Sequence, residues 1–224
     1  MEDVLLGFDK SIRFLYIHFR ICILEWRTLP RDKEFKPQEA LHSAMLLFWE
    51  KGYLETSYDD LVRATGVSRY GLYSAFGDKY QLFLKAMDHY SETNIQFLLG
   101  PLEQPDASIS QIRRYFNLLL RNLDTPQGHF GCLIGNSAVE IVEPEEALGR
   151  RINGHFERMQ TAFKNALQHA QRRGEVAAEM DIHACADYLV GITMGYLVYV
   201  RAGMQRDQVK RFIEVALSYL SYSR

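Results

Sequence analysis

The sequence predicts an all-α protein. Apolar residues recur at three- and four-residue spacing along most of the chain, no stretch alternates with period two for long, and capping residues and glycines punctuate the periodic runs. With 224 residues, 47% of them apolar, the chain can build one large domain or two small ones around a sizeable core.

The first predicted helix begins near Pro37, a residue suited to a first helical turn, and presents Ala40, Leu41, Ala44, Met45 and Phe48 inward before Gly52 ends it. Ser57, with Asp60 three positions on, starts a short second helix that carries Leu61, Val62 and Ala64 and stops at Gly66. Ser68 caps a third helix reaching about Phe76, and Asp78, with Gln81, caps a fourth that runs to about Leu99, where Gly100-Pro101 breaks it. Longer helices follow. Ile109, Ile112, Phe116, Leu119 and Leu123 mark one face of the next, and "CLIGNSAVEIV" forms a short apolar helix closing before Pro144. A long amphipathic helix runs to about Arg173 and stops at Gly174. Two more cover about residues 182–202 and 207–222, capped by Asp181 and Asp207 and separated by Gly203.

Bulk composition excludes more than it selects. A net charge of −2 says nothing for or against nucleic acid, because a basic patch can sit inside a neutral total. Three cysteines at wide spacing (Cys22, Cys132, Cys185) make neither a disulfide framework nor a zinc set. The apolar run at residues 188–200 is too short to span a bilayer, and the apolar N-terminal run is interrupted by Arg13, His18 and Arg20, so a soluble, cytoplasmic protein with no membrane association is expected. His183-x-Cys185 lacks a nearby third ligand, and no metalloprotease, nucleophile-elbow or phosphate-loop motif is present. No enzyme, metal or cofactor is expected.

The stretch "GVSRYGLYSAFGDKYQLF" (residues 66–83) is different in kind. Two short helices joined by the tight turn Thr65-Gly66-Val67-Ser68 form a helix-turn-helix. Val67 can plug the angle, and Leu72 and Phe76 can anchor the second helix from below. Arg69, Tyr70, Gly71 and Tyr73 are left outside, near the helix start, where a recognition helix meets base edges and phosphates. Gly71 costs about 1 kcal/mol of helix stability and allows close approach to another surface. Lys79 adds a cation and unpaired backbone N–H groups at the next helix start, both suited to phosphate. A helical corner built for packing alone would have the same spacing but no need for this outward set.

In order, Phe48 to Gly52-Tyr53, Thr56-Ser57, Gly66-Val67-Ser68, Leu72-Tyr73 with Phe76, and Lys79 with Leu82 closely resemble the N-terminal domain of TetR/AcrR-type transcriptional regulators. "GCLIGNSAVEI", "RGEV" and the closing helix pair resemble the remainder of that family more loosely, so the resemblance covers about residues 31–222. It implies an N-terminal three-helix helix-turn-helix DNA-binding domain (29–84) and a C-terminal helical ligand-binding and dimerisation domain (85–224) in a homodimer. It also implies a double-stranded, palindromic DNA operator and a small-molecule effector as partners, and a repressor released from DNA by that effector. Ser68, Arg69, Tyr70 and Gly71 would lie in or beside the major groove, while Thr56, Tyr73 and Lys79 would hold phosphates. The chain departs from the family at Tyr70, where a smaller residue is common. Residues 1–28 match nothing in the family, and "LPRDKEF" resembles a family N-terminus starting at Leu29, so the preceding segment is expected to be a mis-assigned start or an added arm.

Phe116, Phe130, Cys132, Phe156, Phe163 and Tyr188 are candidates for an apolar effector pocket, though the aromatics would serve equally as core. Gly191-x-x-x-Gly195, with Met194, Val198, Phe212 and Val215, is the candidate dimer face, with packing inside the chain as the alternative use. Cys132 follows Gly131 at a helix start, where a thiol pKa falls, and so could sense electrophiles; a buried, inert thiol is the competing fate. A second function class, a helical binding or adaptor protein whose helix-turn-helix no longer reads DNA, stays open at this point.

Overall fold

A computed structural model describes residues 35–220. The segment 1–28, Cys22 and the predicted end of the last helix beyond residue 220 lie outside the described residues. Residues 37–220 belong to one compact unit whose elements are helices joined by turns and loops, with no strand among the described residues.

Helix α1 (Pro37–Lys51) buries Ala40, Ala44, Met45, Phe48 and Trp49, so Trp49 joins the predicted face and Leu41 is only half-buried. Gly52 follows in the left-handed region (φ 91°) and turns the chain. Helix α2 (Tyr58–Thr65) starts at the predicted cap, a reciprocal box between Ser57 and Asp60. Gly66 ends it at φ 68°. Helix α3 (Arg69–Phe76) starts at Ser68, whose Oγ accepts the Gly71 N–H at 3.1 Å. Helix α4 (Lys79–Tyr90) starts at Asp78, which accepts the Gln81 N–H at 2.8 Å. All three caps satisfy backbone donors that the helix itself cannot.

The rod begun by α4 reaches Leu99 as expected, but not as one regular helix. A π-helical turn, Ser91–Ile95, interrupts it before a last α turn, Gln96–Leu99. Inside that turn the Thr93 hydroxyl donates back to the His89 carbonyl at 2.7 Å, a bond of the kind that bends helices. No glycine or proline announces it.

Helix α5 (Ile109–Asn122) opens with a Ser108–Gln111 box, α6 (Leu133–Glu140) is capped by Cys132, and α7 (Glu146–Arg172) is the longest of those described. Helix α8 (Ile182–Arg201) is capped by Asp181, which accepts the N–H groups of His183 and Ala184 at 3.0 and 3.1 Å. The cap of α9 (Arg206–Ser218) is a correction: Gln205, in a reciprocal box with Gln208, occupies it, and Asp207 sits in the first turn, where its charge complements the helix dipole.

Helices α1–α4 pack around Phe48, Leu61, Leu72 and Phe83, with Phe48 edge-on to Phe83 at 5.1 Å. The second core lies between α5, α7 and α8, where Phe116 stacks on Phe163 at 6.0 Å and Tyr115 meets Phe163 edge-on at 5.3 Å. Arg151 of α7 grips Asp88 of α4 with two hydrogen bonds of 2.7 Å, a bidentate pair that joins the two helix sets. Among the described residues no helix is long and apolar enough to cross a membrane.

Candidate DNA-reading surface and ligand cavity

Helix α3 stands on Leu72 and Phe76, both buried, and Val67 fills the corner between α2 and α3. That anchoring turns the opposite side outward. Tyr70 is 76% exposed and Tyr73 61%, an unusual presentation for large aromatics. The Arg69 guanidinium lies over the Tyr58 ring at 4.3 Å, which holds it at the start of α3 without neutralising it. Ser68 caps the same helix, so its hydroxyl is fixed at the N-terminal end of α3.

Lys79 opens α4 with its amine 4.4 Å from the centre of the Tyr53 ring. Partial burial lowers its pKa, while the charges of Glu140 and Glu55 act the other way. The result is a cation held on an aromatic platform beside the free N–H groups of a helix start.

Thr56 requires a correction. It is fully buried, and its hydroxyl donates to the Gly52 carbonyl at 2.6 Å. Its side chain braces the turn after α1 and is not presented to a phosphate.

The second cluster is a cavity of about 340 Å³, open to solvent on one side, lined by α1, the α4 rod, α5, the start of α6, α7 and α8. Trp49, Tyr90, Tyr115 and Tyr196 form aromatic walls, and Thr193, His155 and Cys132 supply polar atoms. Most of these atoms are already engaged. The Tyr196 hydroxyl donates to the Leu119 carbonyl at 2.5 Å, and Thr193 to the Leu189 carbonyl at 2.9 Å. Burial, with a smaller contribution from Arg158, pushes the His155 imidazole down to about 4, so the ring is neutral at pH 7. Burial pushes the Tyr115 phenol up. The inner wall is therefore uncharged, and Arg121, which is exposed, is the charged residue that lines the cavity.

Of the six predicted pocket residues, Cys132 lines this cavity, and Phe156 and Cys132 line a neighbouring open groove of about 710 Å³. Phe116 and Phe163 stack on each other in the core instead. Phe130 packs edge-on to Trp49 at 5.7 Å, and Tyr188 lies at the surface against Tyr219. Aromatic residues on a buried helix face look alike in sequence whether they fill space or border it. Trp49, Tyr90, His155, Thr193 and Tyr196 were missed; Thr193 and Tyr196, polar atoms set three apart in an otherwise apolar helix, were the available signal.

Of the two fates the sequence leaves open to Cys132, the structure shows the buried one. Its position at the start of α6 lowers a thiol pKa, through the Gly135 N–H at 3.4 Å, but complete burial outweighs that and the thiol is raised. Cys185 is likewise buried and raised to about 11.

On the candidate dimer face, Gly191 has open space over it, while Val198 and Val215 are 61% and 71% exposed. Phe212 is half-buried against Tyr199 at 5.1 Å. Two positions differ from expectation. Met194 turns inward and lines the cavity, its sulfur close to Gly135. At Gly195 a Cβ would lie 3.2 Å from the Phe212 ring, so this glycine serves the α8–α9 contact within the chain.

Three sets of hydrogen bonds fasten the end of α1 to the cavity's frame. The Trp49 indole donates to the Gly131 carbonyl at 3.1 Å. Arg201, ending α8, donates to the Phe130 carbonyl at 2.9 Å and approaches the Trp49 and Glu50 carbonyls at 3.5 and 3.4 Å. Glu140, ending α6, accepts the N–H groups of Tyr53 and Leu54 at 3.1 and 2.7 Å.

The comparisons with known proteins agree with this architecture. Residues 40–86 match the family model "Bacterial regulatory proteins, tetR family", and residues 108–216 match "Tetracyclin repressor-like, C-terminal domain". The HTH-type transcriptional regulator YezE of Bacillus subtilis is 32% identical over 85% of this chain and 98% of its own. The HTH-type transcriptional repressor ComR of Escherichia coli is 26% identical over 84% and 90%. Among solved structures, a cysteine-substituted TetR family regulator, CifR, complexed with a 26-base-pair operator, superposes with a TM-score of 0.74 at 21% identity, covering 84% of this chain and 98% of that one. A TetR regulator from Chloroflexus aurantiacus gives 0.73 at 22% identity over 82% and 93%. These matches place the chain in the TetR family of bacterial transcriptional regulators, and the helix-turn-helix of α2 and α3 and the helical cavity behind it fit that family.

Proposed function

We propose that the protein is a homodimeric, cytoplasmic repressor that leaves a palindromic operator when a small uncharged molecule enters the cavity. The observation that carries this reading is that Trp49, the last buried residue of α1 in the reading head, is also a wall of the cavity. An occupant would touch the helix on which the reading head is built. The wall selects the chemistry: an ionised group would lose its hydration there and meet no opposite charge on the inner surface. An apolar or aromatic molecule with at most one or two hydrogen-bonding atoms suits it. ComR and the Mycobacterium DhaR are named repressors, which supports the sign of regulation.

The division of labour follows, with residues 29–84 reading DNA and residues 85–224 binding effector and partner. Ser68, Arg69, Tyr70 and Gly71 face the groove, and Tyr73 and Lys79 hold the backbone. The test is fluorescence anisotropy with duplexes from the region upstream of the protein's own coding sequence against shuffled duplexes at two salt concentrations. Specific binding should exceed random binding by about a thousandfold or more. Equal affinity for both would return the chain to the adaptor class.

A further inference from the structure

Helix α6 is a crossbar with one end in the cavity wall and the other on the reading head. Its cap, Cys132, lines the cavity, and Gly135 one turn on lies beside the Met194 sulfur of the opposite wall. Eight residues after the cap, Glu140 closes the helix, and its two carboxylate oxygens take the backbone N–H groups of Leu54 at 2.7 Å and Tyr53 at 3.1 Å. Those donors lie just past Gly52, whose φ of 91° favours glycine; a Cβ there would meet the Glu140 carboxylate at 2.8 Å and push it aside. The Tyr53 ring in turn packs on Phe83 at 4.7 Å and carries the Lys79 amine at 4.4 Å.

We propose that Glu140 is the positioning residue through which α6 sets the reading head, holding Tyr53 and Leu54 and thereby the platform of Lys79. This rests on the effector reading of the cavity. An occupant that displaces Cys132 or Met194 moves α6 at its N-terminal end, and the short helix carries that movement to Glu140. Two charge-assisted hydrogen bonds to adjacent N–H groups fix both position and orientation, which a single contact would not. Arg201 and Trp49 hold the α1 end from the other side, so Glu140 is the link that belongs to α6 itself. Helices packed in this way shift between discrete arrangements rather than deform continuously.

The test uses the full chain and Glu140→Gln, which keeps the side chain's size but offers an amide N–H₂ where one N–H now needs an acceptor. Hydrogen exchange at the Tyr53 and Leu54 amides should quicken at least tenfold in Glu140→Gln, and unchanged protection overturns the latch. As a stand-in for an occupant, Leu118→Trp and Leu98→Trp fill the cavity from walls other than α6. Each should change affinity for the upstream operator duplex by about five- to 150-fold in the otherwise native chain, and by less than twofold when combined with Glu140→Gln. An equal change in both backgrounds refutes Glu140 as the link while leaving the effector reading standing. No change in the native background, with folding confirmed by melting temperature, refutes the effector reading and the link with it.

Discussion

The Trp49 indole N–H donates to the Gly131 carbonyl at 3.1 Å, joining residues 82 positions apart in the chain. The same ring meets Tyr90 edge-on at 4.9 Å, so one side chain holds together the end of α1, the α4 rod and the entrance to α6. Trp49→Phe keeps most of the ring contact but leaves a buried carbonyl without its donor. It should cost about 1–3 kcal/mol, read as a lower urea midpoint with an unchanged slope. Trp49→Ala should cost more, about 3–5 kcal/mol. If Trp49→Phe melts as the native chain does, the hydrogen bond contributes nothing and the ring alone makes the joint.

In the proposed function Arg69 makes base contacts and Lys79 backbone contacts, and two substitutions separate them. Arg69→Ala should weaken specific operator binding by about 1–3 kcal/mol, with less effect on random duplex. Lys79→Ala should weaken binding to all sequences and flatten the dependence on salt by about one phosphate's worth. Anisotropy titrations at several salt concentrations distinguish the two. Equal losses on specific and random DNA for Arg69→Ala would make it a phosphate contact, held in place by Tyr58. Thr56→Val should disturb folding rather than the salt slope, because the Thr56 hydroxyl is tied to Gly52 inside the protein.

The reading head was legible in the sequence because its devices are local. Ser57, Ser68 and Asp78 cap helices within four residues of what they cap, and Gly66 and Gly77 sit where the backbone turns left-handed. The cavity was not legible because it depends on which aromatics the packing leaves uncovered. Phe116 and Tyr115 are neighbours on α5, yet only Tyr115 borders the cavity while Phe116 is closed off by Phe163. The π-helical turn at Ser91–Ile95 had no glycine or proline to mark it, and Asn94 and Ile95 within it line the cavity. Within "CLIGNSAVEIV" nothing sets Glu140 apart, and its partners, reached across 86 and 87 positions, appear only in the fold.

His155 should make the fold acid-sensitive. It is 8% exposed, its Nδ1 has no hydrogen-bond partner, and burial holds its pKa at about 4 against 6.5 for the free side chain. The folded value is the lower one, so between these pH values the unfolded chain binds more protons. Stability is therefore full above about pH 6.5 and declines as pH falls toward about 4, by up to about 1.4 kcal/mol per pH unit. Depressed carboxylates, among them Glu103 beside Arg158, add losses of the same sign at lower pH. His155→Gln, which does not titrate, should show a shallower fall in urea midpoint between pH 6.5 and pH 4.5. An identical fall in both proteins would mean that His155 is solvated in solution.

The exposed stripe on α8 and α9 sets the last expectation. Gly191 and Val198 of α8 and Val215 of α9 lie uncovered, beside Tyr199 and Tyr219. A stripe of this size on two adjacent helices suits the same stripe on a second copy, the self-complementary contact of a two-fold dimer. Such a dimer would present two copies of α3 to half-sites about one turn of DNA apart. The position to test is Val215 rather than Gly195, because a side chain at Gly195 would first strike Phe212 within its own chain. Val215→Glu places a charge at a 71% exposed position, so the protomer should melt within about 0.5 kcal/mol of native stability. Its dimer should dissociate at micromolar concentration by sedimentation equilibrium, and operator affinity should fall at least a hundredfold as one half-site is lost. Val142→Glu, at a still more exposed valine just past α6, should leave both properties unchanged. A Val215→Glu chain that remains dimeric and binds its operator normally would move the interface off this face, and a native chain that sediments as a monomer would end the two-half-site arrangement.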